Sequence, residues 1–600
     1  ADMNTAVGYA AMQGAATGLT DAAQYNTAVG NRAMRDLTSG YANVAMGRDA
    51  GYDISSGYQN VALGYQAGYN VTTGHTNTLV GGQAARTLTT ALGNTAIGYD
   101  ALYKATIGGE NVAVGKMAGY NYAGTSATTE GAFSTFLGYA AGYAVTGGVN
   151  WGHVIAIGHQ PMYNATGANK SMAIGNSALV SGTNALDMIA IGQSAGSYGN
   201  ATGSVYIGNK AGFRPSGNYN VAIGHNAMSG ASAGSDAYNN VAIGREAMLD
   251  ITSGYGNASL GYQALPNVTT GYSNVAIGNQ AGFTLTTGRK NVAVGNQAGY
   301  SNNATGTVMI GEYAGGNNTA DYNVGVGFQA LDANTSGEYN IAIGKDTLGA
   351  NTTGSYNTTV GHDAMKLNTT GNYNTVVGYQ ALYNNVDGDR NTAIGLQALH
   401  SLEPSDGGGG NTALGDRAGY TMSTGHSNTI LGHTAAYKHT TGERNVVIGH
   451  EAGYSGTTYN YNVLIGNTAG YYASGMSSGV YIGRSAGHHV SGSDNTFIGT
   501  SAGMGQSAAT HATVGTVAIG KNAMYYNSTT NYCVAIGEAA LMGASSDPWM
   551  TGDYNVAVGR QALTDTTTGE GNVAVGYLAG KGVTTGINNV FIGLQAGQYN

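Results

Sequence analysis

The sequence predicts an all-β protein, a β-solenoid in which one 17-residue phrase repeats about 34 times. Three observations predict it. The phrase N-x-A-aliphatic-G recurs at a fixed step, every copy holds two glycine corners, and only about four or five residues separate those corners. Segments of that length are normal for strands and too short for stable helices. The copy from Asn274 to Lys290, NVAIGNQAGFTLTTGRK, shows the phrase whole, and Asn291–Tyr300 begins it again as NVAVGNQAGY.

Taken along the chain, the phrase starts at Asn4, Asn26, Asn43, Asn60, Asn77, Asn94 and Asn111, with a step of 17 after the first gap. It runs on through Ser134, Val154, Ser171, Met188 and Ser204 to the last copies at Asn555, Asn572 and Asn589. No break is long enough for a linker. Residues 1–600 therefore read as a single continuous array, expected to be part of a longer chain.

Each fixed position has a physical reading. Asn at position 1 (Asn274) is predicted to stack on its copies above and below, its amide hydrogen-bonded along the ladder. The aliphatic residue at position 4 (Ile277, also Val7, Met46, Leu63, Ile97 and Ile592) is predicted to face a dry interior. Glycine at position 5 (Gly278) implies positive φ or a close backbone approach. Alanine at position 8 (Ala281) implies a space too tight for more, with Pro161 and Thr347 as exceptions. Position 12 is apolar in several copies (Leu37, Ile54, Val71, Leu88, Val268, Leu285), and a T-T-G corner ending at Gly288 closes the unit. The expected coil is strand, glycine turn, strand, Thr-Gly turn. Coils stacked ~4.8 Å apart would give a rod of roughly 160 Å.

Composition limits the function. Charged residues are 9% of the chain and glycine is 101 of 600, so the surface is built from Asn, Thr, Ser, Gln, Tyr and Gly. Five prolines exclude collagen, and aliphatic residues at fixed intervals argue against disorder. A net charge of -9 without a basic cluster disfavours nucleic acid as a partner. One cysteine, Cys533, excludes an internal disulfide framework. No apolar run approaches the ~18 residues of a membrane helix, so no membrane insertion is expected. The opening ADMNTAVG has no signal-peptide character, and neither end carries an atypical capping unit. Those two features are read as truncation or head-to-tail polymerisation.

No catalytic pattern survives inspection. Gly325–Gly327 imitates a phosphate loop but is the ordinary turn of its repeat, and no P-loop, H-E-x-x-H or nucleophile elbow occurs. No enzyme activity, cofactor or metal site is expected. His159, His225, His362, His433 and His450 all fall at position 6, and His433 and His450 should be stacked neighbours. One His per coil is a weak ligand signal, and position 6 also accepts Tyr, Asn, Arg, Lys, Gln and Glu. Thr-Thr pairs recur at one phase (Thr72–Thr73, Thr269–Thr270, Thr352–Thr353, Thr440–Thr441) and raise an ice-binding face as an alternative. The 43 tyrosines concentrate at positions 6, 10 and 17 (Tyr65, Tyr69, Tyr373), predicting stacked aromatic files, with sugar-binding platforms as the functional alternative.

Longer units begin at Asn4, Asn111, Ser134, Asn220, Asn391, Asn495 and Cys533, each with its first half intact. Extra residues therefore sit in the second half, where solenoids accept loops. The candidate recognition loops carry Trp151 and His153, Glu403 and Asp406, and Asp547 and Trp549. Against recognition stands packing of each Trp on its own loop base.

The motif N-[TV]-A-[VI]-G-x-x-A, as in Asn26–Ala33 and Asn572–Ala579, resembles the head repeats of trimeric autotransporter adhesins of the YadA-like type. The phrase at Asn94–Leu102, NTAIGYDAL, is similar to repeats of phage tail-fibre proteins. The resemblance implies a left-handed parallel β-roll and a homotrimer with alanine and aliphatic positions near a shared axis. It also implies an extracellular place, on a virion or a cell surface. The expected function is a structural fibre touching a receptor or glycan through its loops. A self-assembling filament is the alternative.

Overall fold

The computed structural model describes residues 3–14, 18–105, 108–122, 133–145, 153–182, 185–214, 217–230, 236–403, 409–472, 474–505, 511–545 and 549–599. The chain forms two compact units, Ala1–Asn303 and Ala304–Asn600. In each, the described residues hold one parallel ladder of seventeen three-residue strands. The first runs from Thr5–Val7 to Val292–Val294 and the second from Val308–Ile310 to Val590–Ile592. No helix occurs among the described residues, and none is long and apolar enough to cross a membrane.

Register follows the repeat without slippage: Val275 pairs with Val292, Ala276 with Ala293 and Ile277 with Val294. Identical positions thus stack on one another, so a β-solenoid with a 17-residue step is the fold of both units. Glycine at position 5 has both properties expected of it. Gly278 lies at φ 137°, and a Cβ there would run into the backbone carbonyl of Gly295.

Two expectations fail. The first is the second strand of each coil. Positions 7 and 9 sit in the left-handed region, as at Gln280 (φ 53°) and Gly282 (φ 62°), and so does position 17, as at Lys290 (φ 58°). Three such residues per coil bend the second half into consecutive turns instead of an extended run. The turns still stack by backbone bonds: Gln280 N–H donates to the Tyr262 carbonyl (2.9 Å) and Gly282 N–H to that of Ala298 (3.0 Å). The exceptions are the paired dipeptides Val490–Ser491 and His511–Ala512 and four isolated bridges.

The second failure is position 4, which faces outward. A three-residue strand turns its middle side chain to one face and its first and third to the other. Here the middle residue, Ala276, is fully buried, whereas Ile277 is 41% exposed. The core consists of positions 3, 8, 9 and 12 with the Asn of position 1. Alanine at positions 3 and 8 thus lies inside its own coil, not beside an axis shared with other chains.

The narrow core enforces a trade between positions 3 and 9. Ala28, Ala96, Ala173 and Ala393 share a coil with Met34, Leu102, Leu179 and Leu399. Phe136, Tyr206, Met309, Tyr481 and Phe497 instead face Gly142, Gly212, Gly315, Gly487 and Gly503, whose Cβ atoms would overlap those side chains. Positions 3 and 9 together hold at most one side chain of Leu size or larger, and Val376 with Leu382 is the fullest pair.

Candidate functional site

The most ordered chemistry lies inside. Asn274 Nδ2 donates to Asn257 Oδ1 in the preceding coil (3.0 Å) and to the Gly288 carbonyl of its own coil (2.9 Å). Its Oδ1 accepts the backbone N–H of Asn291 (3.0 Å). One amide therefore closes a coil and ties it to both neighbours, and the predicted Asn ladder exists. Where Asn is replaced, smaller groups make some of these bonds. Ser171 Oγ donates to the Ala185 carbonyl (2.8 Å) and accepts Met188 N–H (3.1 Å). Cys533 stands in the same file, its buried thiol pushed up to about 12 by desolvation.

Sequence reading missed a second amide ladder at position 12. Asn334, Asn351, Asn368 and Asn385 each donate to the Asn one coil earlier at 2.6–3.1 Å. Its signal was Asn recurring every 17 residues where other coils are apolar. An aromatic file at position 16 was missed for a similar reason: Tyr41, Tyr58 and His75 stack at 4.9 and 4.3 Å, two residues ahead of each ladder Asn.

The predicted aromatic files form. Seven rings from Tyr383 to His488 stack along position 10 with centroids 5.0–5.4 Å apart. Tyr322, Tyr339, Tyr356 and Tyr373 stack at 5.1 Å along position 17. Each ring covers the face of the next, so edges and hydroxyls meet solvent. A sugar platform needs an open ring face, and within a file none is left.

His433 and His450 stack as expected, 5.2 Å apart. The carboxylates beside them are separate, Asp416 Oδ2 at 3.7 Å from His433 and Glu451 Oε2 at 3.8 Å from His450. Among the described residues no group of three or more His, Cys, Asp or Glu converges as a metal site. The first Thr of each pair turns its hydroxyl along the stack, as Thr269 Oγ1 to the Thr286 carbonyl (3.2 Å) and Thr352 Oγ1 to that of Thr369 (3.0 Å). Those hydroxyls are engaged with protein, which weakens their use as an ice template.

Of the candidate loop residues, Trp151, Asp406 and Asp547 lie outside the described residues. His153 is exposed and stacks on Phe133 at 5.5 Å, which makes it a member of the position-17 file. Glu403 is exposed, its backbone N–H donating to the Ser423 carbonyl (2.7 Å). Trp549 is half-buried, with its ring 6.1 Å from that of Tyr526. The described members of this set do not converge on one another.

Two further groups stand apart. His439 occupies position 12, its ring centroid 3.9 Å from that of Tyr459, and burial pushes the imidazole down to about 4. Lys366 lies in a shallow groove beside Gly349, bonded to Asp363 (2.9 Å) and Asp346 (3.2 Å).

Compared with known proteins, the chain matches no family model and no curated sequence. Fold alone defines its class, a parallel β-solenoid repeat protein.

Proposed function

We propose that the chain is the shaft of a non-enzymatic structural fibre on a virion or cell surface, with recognition confined to the loops that interrupt the repeat. The observation that carries this reading is the Asn274-type ladder: the chain spends its buried polar chemistry on joining coil to coil. Among the described residues no group of three or more His, Cys, Asp or Glu converges, and Lys366 in its groove is paired with Asp363 and Asp346. Homotrimer formation and an extracellular place belong to the same reading. A self-assembling filament is the second reading, favoured by the outward aliphatic file at position 4.

Binding of the purified chain to a glycan array and to cells tests the proposal. Its comparison is a variant whose segments 145–153, 403–408 and 546–549 are replaced by standard coil sequence. Binding lost in the variant, with the ladder intact by circular dichroism, is the expected result. Turnover of any arrayed glycan by the parent chain, or binding undiminished in the variant, refutes it.

A further inference from the structure

Positions 4 and 6 of each coil both reach the surface, position 6 the more openly, yet they differ completely in what they accept. In the second unit, position 6 reads Lys345, His362, Tyr379, Leu396, Asp416 and His433 in successive coils. Position 4 in those same coils reads Ile343, Val360, Val377, Ile394, Leu414 and Leu431. Exposure alone does not account for the difference, since several position-4 residues are as open as position 6: Ile343 is 40% exposed and Tyr379 46%. Across both ladders position 4 is only Val, Ile, Leu or Met, and position 2, its neighbour on the outer face, is never charged. Strand propensity favours β-branched residues but does not exclude Lys, Glu, Gln or Tyr from an open face through thirty-four strands. A face kept free of charge is a face kept dry.

Its size matches a protein interface. Seventeen strands per unit, ~4.8 Å apart and ~10 Å long, make a stripe of about 800 Å². Soluble monomers rarely expose an apolar patch beyond ~300–600 Å², and a stable interface uses ~800 Å² from each partner. A cover must also repeat every ~4.8 Å, the strand spacing, to interdigitate along the stripe. The same face of another copy has that spacing.

We infer that the outer strand face, positions 2 and 4, is the seam along which copies of this chain pack side by side, parallel and in register. The orientation follows from position 2. Thr358, Thr375, Thr392, Thr412 and Thr429 occupy it in five consecutive coils, with Val and Ile in coils beyond. Parallel in-register packing sets Thr against Thr, where the hydroxyls pair; antiparallel packing buries them against aliphatic groups. This rests on the reading of the chain as a self-associating fibre and names the surface it uses.

Sedimentation of the full chain and of an Ile343→Asp/Val377→Asp variant tests the seam, with Tyr379→Asp as the control one register outside it. The parent chain is expected as a discrete oligomer. The double variant, folded by circular dichroism, should raise the dissociation constant by about 100-fold or more, because two carboxylates would be buried unpaired. The control should change it less than about threefold, since Asp416 already stands at position 6 in another coil. Val377→Cys, oxidised with copper phenanthroline, should cross-link two copies through that residue, whereas Thr441→Cys on the closing corner should not. Cys533 is buried and silent. An oligomer that survives the double variant and leaves Val377→Cys uncross-linked overturns the seam while the fibre reading stands. A parent chain monomeric at all concentrations overturns both. A monomer that also shows thermal hysteresis assigns the face to ice.

Discussion

Replacing Asn274 by alanine is expected to open the solenoid locally by about 3–5 kcal/mol. Three side-chain hydrogen bonds disappear: to Asn257 Oδ1, to the Gly288 carbonyl and from Asn291 N–H. Each contributes ~1 kcal/mol net, and the buried Gly288 carbonyl and Asn291 N–H are left without their partner, at ~1–3 kcal/mol each in the worst case. Asn274 keeps its own backbone N–H bonded to Asn257 Oδ1 at 3.0 Å, which limits the damage. Asn274→Ser should lose less, roughly 1–2 kcal/mol, since Ser171 makes two of the three bonds in its own coil. Coils contact only their neighbours, so the loss should stay in the coils beginning at Asn257, Asn274 and Asn291. Hydrogen exchange resolved by peptide reads this directly as a fall in opening free energy. A change below ~1 kcal/mol for alanine, or serine as damaging as alanine, would refute the clip as described.

Other consequences concern the core. Gly212→Leu should destabilise its coil by several kcal/mol, on the order of the ~1–3 kcal/mol of overpacking or more, because Leu would occupy the space of the Tyr206 ring. Adding Tyr206→Ala should restore most of the loss, since Ala173 and Leu179 already form that pair; denaturation that shows simple additivity contradicts the trade. Burial holds the His439 imidazole at about 4 against 6.5 unfolded, so the unfolded chain binds the extra proton between those values. Stability is therefore full above pH 6.5 and falls as pH drops towards 4, by about 3 kcal/mol in all. His439→Leu should remove that share of the slope, leaving that of His488, which burial and His489 also push down to about 4. The Cys533 thiol, buried and pushed up to about 12, should resist a disulfide reagent at pH 8 until the chain unfolds. Native labelling at the rate of a free thiol would place Cys533 outside the ladder.

Spacing made the repeat legible, and with it the in-register ladder, the amide file and the aromatic files, because stacking turns a 17-residue period directly into contact. Asn274 could be assigned to a ladder from its recurrence alone. What spacing does not carry is the path of the chain between fixed points. The left-handed residues at positions 7, 9 and 17 are Gln, Leu, Tyr, Ser and Lys as often as Gly. Gln, Leu, Tyr and Lys carry no turn signature of their own, so the missing second strand was hidden. The amide ladder at position 12 was hidden because Asn334 and Leu285 occupy one position in different coils, each compatible with burial when stacked on its own kind.

Ile277 shows where the inference from hydrophobicity stops. Period-two alternation separates Ala276 from Val275 and Ile277 but leaves open which side is the core. Transfer free energy alone puts the larger residues inside, the wrong choice here. Sterics decides instead: positions 3 and 9 share room for one side chain of Leu size, so the sole residue of the strand that points in is no larger than Val when position 9 is Leu or Met. The two remaining strand positions are then forced outward, whatever their hydrophobicity. Their freedom from charge is the observation on which the proposed seam rests. Within a single chain, an alanine inside its own coil and an isoleucine on the outer face leave the same apolar mark on the sequence.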